Sequence, residues 1–260
     1  MALLFAEAST RTRLSFEVAA RELGAETFVI EPASSSMVKG ETLVDTVRNL
    51  DAIGFDFLVL RHHRAGAAWV AARHFGGSVV NAGDGWHAHP TQALLDLLTL
   101  RRAFGGQAGL RGRKVVIVGD VLHSRVARSN AWTLTRAGAD VWLCAPERWL
   151  RAPDGVAVTL TSDLDAALAG ADAVMGLRVQ RERMRGAALS LGDYVARFQV
   201  TEQRLAALAA PGSFYLHPGP INLGVEVTRE VAVGPRSLVL EQVRNGVPVR
   251  MAVLAGLAGR

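Results

Sequence analysis

Cysteine is nearly absent from this chain. The single thiol, Cys144, cannot form an internal disulfide and removes thiolate metal clusters from consideration, leaving a buried strand cysteine as the expectation. Lysine is almost as scarce: only Lys39 and Lys114 occur, so the excess of 29 Lys and Arg over 24 Asp and Glu is carried by arginine. Aromatic residues make up 6% and basic residues form no cluster, so the stacking platforms and charged stripe of a nucleic-acid binder are missing. No uncharged apolar run reaches about 18 residues, the length a membrane helix needs. Residues 1–5 are too short for a signal-peptide core ahead of Glu7 and the arginines, so a cytoplasmic protein without a membrane partner is expected. No Gly-x-Gly-x-x-Gly follows the apolar run 114–119 and no Walker lysine motif occurs, which disfavours dinucleotide and nucleoside triphosphate binding. His, Cys and Asp nowhere stand at metal-ligand spacing, so neither metal nor cofactor is expected.

What is present is enough apolar material for a substantial core: 260 residues, 50% hydrophobic and 20% charged. Short apolar runs at 27–30, 57–60, 78–81, 114–119, 140–144, 173–177 and 213–216 read as buried parallel strands, with amphipathic stretches between most of them. Phe16, Ala19, Ala20 and Leu23 recur at helical spacing after Ser9, as do Leu94, Leu95 and Leu98 after His89. The pattern is α/β. The densest glycine cluster, 103–112, precedes a fresh strand–turn–helix series and marks a domain boundary. At the C-terminus, Pro248 reads as lying near a helix start, with Val249, Val253, Leu254 and Leu257 packing back on the first half.

The candidate chemistry sits where strands give way to helices. A strand-like start at Phe5 runs into Ser9, Thr10, Arg11 and Thr12, which open the first helix, where hydroxyls, free backbone N–H groups and an arginine fork together suit phosphate. Taken alone, such a tripeptide is more often an ordinary N-cap. His89 and Gln92 open a later helix; the imidazole can donate to a developing oxyanion and the amide can bind an NH2 group. Ser35 and Lys39, Arg61, Arg125, and Arg178 with Gln180 come after other apolar runs, at positions that point into the crevice of an open sheet. His217, Pro218, Gly219 and Pro220 form a rigid loop whose carbonyls can meet a substrate nitrogen. The arginine excess itself has two readings, ligand binding or bulk composition, which only placement separates.

Residues 9–13 (Ser-Thr-Arg-Thr-Arg), 39–41 (Lys-Gly-Glu), 89–92 (His-Pro-Thr-Gln), 178–180 (Arg-Val-Gln) and 217–220 (His-Pro-Gly-Pro) together resemble, in order and spacing, the aspartate carbamoyltransferase catalytic chain of the aspartate/ornithine carbamoyltransferase family. The resemblance implies two doubly wound parallel-sheet domains with the active site in the cleft between them. It assigns 1–102 plus 237–260 to carbamoyl phosphate and 103–236 to aspartate. Ser9, Thr10, Arg11 and Thr12 would bind phosphate; Thr12, Arg61 and His89 would polarise the carbamoyl carbonyl, and Gln92 would hold its NH2. Arg125, Arg178 and Gln180 would take the aspartate carboxylates, and the carbonyls of Pro218 and Gly219 the nitrogen groups. Ser35 and Lys39 would reach into a neighbouring subunit's site, Lys39 also touching aspartate. The implied active unit is a homotrimer, in some members joined by regulatory chains or by dihydroorotase. The implied reaction belongs to pyrimidine biosynthesis; transfer to another amino acid such as ornithine, or an inactive paralogue serving as an assembly partner, are the alternatives. Two departures stand out. Family members carry a further helix and strand before the first motif, so this chain reads as N-terminally short, and Leu223 stands where related chains often have arginine.

Overall fold

The structure, a computed structural model, describes residues 1–31, 36–179 and 189–259. Ser35 and Gln180 lie outside the described residues. The chain forms two compact units, Met1–Leu95 with Val243–Arg260, and Asp96–Gln242.

In the first unit, β1 (Ala2–Phe5), β2 (Phe28–Ile30), β3 (Phe57–His62) and β4 (Ser78–Asp84) form a parallel sheet in the order β2-β1-β3-β4. Helices α1 (Thr10–Glu22), α2 (Leu43–Ile53) and α3 (Ala67–Ala72) connect them. Side chains alternate along each strand, so a strand covered on both faces must be apolar throughout. Ala2 and Leu4 of β1, with Leu58 and Leu60 of β3, join Val47 and Leu50 of α2 and Ala67, Ala68 and Ala71 of α3 in one core. Leu3 and Val59 point the other way and join Phe16, Ala19 and Ala20 of α1, together with Leu254 from the C-terminal segment. The start of α2 is fixed by a capping box, in which the Thr42 hydroxyl accepts from the Asp45 N–H while the Asp45 carboxylate accepts from the Thr42 N–H.

Helix α4 (Pro90–Ala103) comes after β4, and the division between the units falls within it. The second unit holds β5 (Lys114–Val118), α5 (Arg125–Arg136), β6 (Asp140–Cys144), β7 (Thr159–Thr161), α6 (Leu164–Leu168), β8 (Ala173–Gly176), α7 (Leu191–Phe198), α8 (Glu202–Leu208), β9 (Phe214–Leu216) and α9 (Arg229–Val233). Its sheet is again parallel, in the order β7-β6-β5-β8-β9. One continuous core runs through Val115–Val118 of β5, Val174 and Met175 of β8, and Tyr194 and Phe198 of α7. The final helix, α10 (Val239–Ala258), carries the second crossing of the division. Both sheets have the parallel α/β architecture anticipated from the apolar runs, in the doubly wound form that the resemblance implied. Among the described residues no helix is long and apolar enough to cross a membrane.

Three readings need correction. Pro248 does not lie near a helix start; it sits inside α10, which begins at Val239. The proline lacks an N–H for its own turn, but apolar packing along the helix holds the helical backbone on both sides. Strand β7 is absent from the expected set because it is a three-residue edge strand with an exposed Thr-Leu-Thr sequence. Strand β1 reaches further towards the N-terminus than the strand-like lead into Ser9 suggested, since Met1 to Leu4 are buried.

Close approach constrains the end of β8. A Cβ on Gly176 would collide with the Tyr215 hydroxyl and stand 3.0 Å from Cδ2 of His217, both fully or almost fully buried. Gly176→Ala is therefore expected to lower unfolding stability by about 1–3 kcal/mol through overpacking. The Tyr215 hydroxyl has no hydrogen-bond partner among the described residues, so Tyr215→Phe should be near neutral alone and should recover part of the Gly176→Ala loss. Denaturant midpoints of the single and double variants check this; an unchanged midpoint for Gly176→Ala would contradict it.

Candidate active site

In the first unit, the sheet order decides which residues become neighbours. Each parallel strand ends at the same edge; the segments that leave β2, β1 and β4 there carry Lys39, the run Ser9 to Thr12, and the pair His89 and Gln92, and Arg61 stands near the end of β3. Ser9 is the N-cap of α1, in extended conformation, and its side chain makes no capping hydrogen bond. The first-turn N–H groups and the positive end of the helix dipole thus remain available to an anion. Thr12 is buried, whereas Thr10 and Arg11 are exposed. Arg13 turns to Glu17 and Glu31 and serves the fold.

Arg61 lies within β3, in register with Phe5 of β1. Its guanidinium donates to the Glu7 carboxylate at 2.8 Å and to the Ala82 carbonyl at 3.4 Å. The fork is fixed from two sides, by the segment just after β1 and by β4, and Glu7 balances its charge. Glu7 escaped the sequence reading; a lone acid between a strand and a helix carries no signal until its partner is known.

The turn after β4 is built on Asp84. Its buried carboxylate accepts from the Gly66 N–H at 2.7 Å, the Asn81 amide at 2.8 Å, His87 Nδ1 at 3.0 Å and the Ala88 N–H at 3.1 Å. That many donors fold residues 84–88 into one geometry, which delivers His89 and Gln92, both buried, to the start of α4. Lys39 is exposed at the end of a short 3-10 turn, Ser36–Lys39. A hollow of about 450 Å³ in this unit is lined by Gly40 and Glu41 of the 39–41 motif together with Thr42, His62, His63 and Arg64 among others.

The second unit repeats the scheme. After β5 the chain turns at Gly119, whose φ of +133° suits glycine, and Asp120 holds His123 by a 2.8 Å contact to Nδ1. Ser124 then caps α5, so that half-buried Arg125 is its first residue. Arg178 comes just after β8 and is exposed. After β9 come His217, Pro218, Gly219 and Pro220, with a cis bond between the last two. Strands β5, β8 and β9 are consecutive neighbours, so Arg125, Arg178 and the 217–220 loop lie along one sheet edge. Leu223 is 45% exposed and bridges to Val227. Among the described residues no group of three or more His, Cys, Asp and Glu side chains is placed to hold a metal ion.

Burial also acts on the titrating groups. Desolvation pushes the Cys144 thiol up to about 12, which keeps it protonated and chemically inert. It holds His62 below its ordinary range, with the neighbouring His63 and Arg64 adding to the effect and Glu7 and Asp84 opposing it. His62 Nδ1 accepts from the Arg64 N–H at 3.0 Å, a role open only to the unprotonated nitrogen.

Comparison with known proteins bears on both units. The family description "Aspartate/ornithine carbamoyltransferase, carbamoyl-P binding domain" matches residues 1–102, and "Aspartate/ornithine carbamoyltransferase, Asp/Orn binding domain" matches residues 111–257. The aspartate carbamoyltransferase catalytic subunit of Roseiflexus sp. (strain RS-1) is 52% identical, over 98% of this chain and 81% of that protein. Among solved structures, aspartate transcarbamoylase from Trypanosoma cruzi in complex with carbamoyl aspartate and phosphate aligns with a TM-score of 0.86 at 34% identity, covering 98% of this chain and 82% of that one. Ornithine carbamoyltransferase from Thermus thermophilus aligns with a TM-score of 0.86 at 33% identity, over 98% and 85% respectively.

His62 also makes stability depend on pH. Its folded-state pKa lies below its ordinary 6.5, so acid protonates the unfolded chain first and the native state loses stability as pH falls below that value. The stability advantage of the parent protein over His62→Gln should therefore shrink as pH is lowered from about 7.5 to 5, as chemical denaturation at each pH would read out. A difference that stays constant across this range would contradict the assignment.

Proposed function

The chain belongs to the aspartate/ornithine carbamoyltransferase family, and from that premise we propose how its two units divide the work. It transfers the carbamoyl group of carbamoyl phosphate to the amine of L-aspartate, giving N-carbamoyl-L-aspartate and phosphate. This step supplies pyrimidine biosynthesis. Residues 1–102 with 237–260 serve as the carbamoyl-phosphate-binding domain and 103–236 as the aspartate-binding domain.

The observation that carries the assignment is the sheet order of the first unit, which lines Ser9 to Thr12, Arg61, and His89 with Gln92 along one edge. Ser9, Thr10, Arg11 and Thr12 hold the phosphate with hydroxyls, helix N–H groups and a guanidinium. Thr12, Arg61 and His89 donate to the carbamoyl oxygen, and Gln92 accepts from its NH2. Arg125, Arg178 and Gln180 in the second unit bind the aspartate carboxylates, and the Pro218 and Gly219 carbonyls accept from the nitrogens. The amine lone pair attacks the carbamoyl carbon, negative charge collects on its oxygen, and the bond to the phosphate oxygen breaks as phosphate leaves with the amine proton. No protein nucleophile or dedicated base is needed. Catalysis is positional and electrostatic, because the donors face charge that grows only in the transition state.

Lys39, exposed in its own unit, together with Ser35, completes the site of a neighbouring subunit in a homotrimer, with Lys39 reaching aspartate. Regulatory chains or dihydroorotase are the partners such a trimer takes in this family, and the cytoplasm is the compartment in which both substrates meet.

Purified protein given carbamoyl phosphate and aspartate should form carbamoyl-aspartate, with ornithine a poor acceptor in the same assay. His89→Ala should lower kcat about a hundredfold, the loss typical of one oxyanion donor. Faster turnover of ornithine than of aspartate would reassign the acceptor, and no product from either would remove the proposal.

A further inference from the structure

The interior of the second unit contains a continuous chain of polar side chains where an α/β core is ordinarily apolar. Asp96, Asn130, Gln242, His217 and Glu226 are all at most 2% exposed. Asp96 Oδ2 accepts from the Asn130 amide at 2.8 Å, and its Oδ1 accepts from Gln242 Nε2 at 2.7 Å. The other end of the same amide, Gln242 Oε1, accepts from the backbone N–H of His217 at 2.8 Å. His217 Nδ1 in turn accepts from the Gly219 N–H at 2.8 Å, which places the ring proton on Nε2, 3.4 Å from Glu226 Oε1. Glu226 Oε1 accepts from the Asn222 N–H at 2.6 Å, and Asn222 Nδ2 donates to the Val179 carbonyl at 3.1 Å.

The direction of these bonds is forced. An ionised carboxylate only accepts, so Asp96 must face the NH2 end of Gln242, and this leaves the carbonyl end for His217. A buried network left partly satisfied is costly, so the orientation propagates instead of relaxing. Its terminus is the loop 217–222. There the N–H groups of His217, Gly219 and Asn222 are all turned to protein acceptors, and Pro218 and Pro220 have none. What the loop retains for a ligand is chiefly carbonyl oxygen, an acceptor face that suits amine and carbamoyl N–H groups.

We infer that Asp96 and Gln242 are positioning residues for the transfer reaction: through the forced amide orientation they hold the 217–222 loop so that its carbonyls meet the substrate nitrogens. The inference rests on the role proposed above for Pro218 and Gly219 and extends it to residues that touch no substrate.

A polarity swap tests it. In Asp96→Asn the new amide must present NH2 to either Asn130 or Gln242, and turning Gln242 to suit it sets an NH2 group against the His217 N–H. In Gln242→Glu two carboxylates meet. In the double variant D96N/Q242E every donor again faces an acceptor: Asn130 to residue 96, residue 96 to residue 242, and His217 N–H to residue 242. Each single variant should lower kcat for carbamoyl-aspartate formation about tenfold or more, as loop misplacement does. Carbamoyl phosphate binding measured without aspartate should weaken much less than kcat falls, because its phosphate ligands lie in the other unit and the loop meets only its NH2 group, and the double variant should recover most of kcat. A network that only supports the fold would lower thermal stability and leave kcat of the folded enzyme unchanged, and that result overturns the inference. A double variant no better than the worse single overturns it too. If the single variants fail to fold, Gln242→Met removes both amide bonds at similar volume, and parental kcat in that protein has the same meaning. Parental enzyme that forms no carbamoyl-aspartate would refute the underlying function itself, a distinguishable failure.

Discussion

Two-sided burial of parallel strands is the constraint on which the rest of this molecule depends. Leu3 and Leu4 are neighbours in sequence yet belong to separate cores on opposite faces of the first sheet, and neither core exists without a helical layer over it. A crossover, in most cases a helix, must therefore return the chain to the start of each next strand, so every strand in a unit ends at the same edge. Polar side chains have no place along such strands and collect where they end. The gathering of Ser9 to Thr12, Arg61, His89 and Gln92 in one unit, and of Arg125, Arg178 and the 217–220 loop in the other, is a consequence of the packing before it is a matter of catalysis.

Holding those groups in place then falls to acidic side chains, most of them buried. Glu7 fixes the Arg61 fork, Asp84 ties the turn that presents His89, Asp120 holds His123 just ahead of Arg125, and Asp96 orients the amide beneath the late loop. Each acts by accepting several N–H donors or one charged donor, and charge-assisted bonds of this kind are the strongest means a protein has of fixing geometry at a loop. Carboxylates placed behind a cationic edge also lower the repulsion among its arginines before any anionic substrate arrives.

This arrangement explains which parts of the protein could be read from the sequence. Apolar runs identified most of the parallel strands, though not the short exposed edge strand β7, because two-sided burial demands them, and the polar motifs just beyond those runs identified the sheet edge. The supporting acids stayed invisible. Asp96 interrupts the stripe Leu94, Leu95, Leu97 and Leu98 and reads as the polar face of an amphipathic helix, although it is fully buried. Gln242 and Glu226 look equally ordinary. A hydropathy pattern records polarity and period, whereas the importance of a buried polar group lies in a partner far along the chain, as between Asp96 and Gln242. Pro248 misled for the opposite reason: a strong local rule about proline gave way to the packing of a long helix.

The arginine excess, ambiguous as a number, is resolved by position. Arg113 pairs with Asp172, Arg204 donates to the carbonyls of Ala196 and Gln199 at the end of α7, and Arg236 lies against Glu202 and Ser213. These are exposed or partly exposed structural uses in which the guanidinium fork closes helix ends and surface pairs, each contributing little on its own. Arg61 and Arg125 differ in kind, since they are half-buried, stand beside strand ends, and are approached by residues whose own positions are fixed. The chemistry proposed above rests on the few arginines that the parallel sheets place at their edges, a distinction that counting basic residues cannot make and that their positions supply.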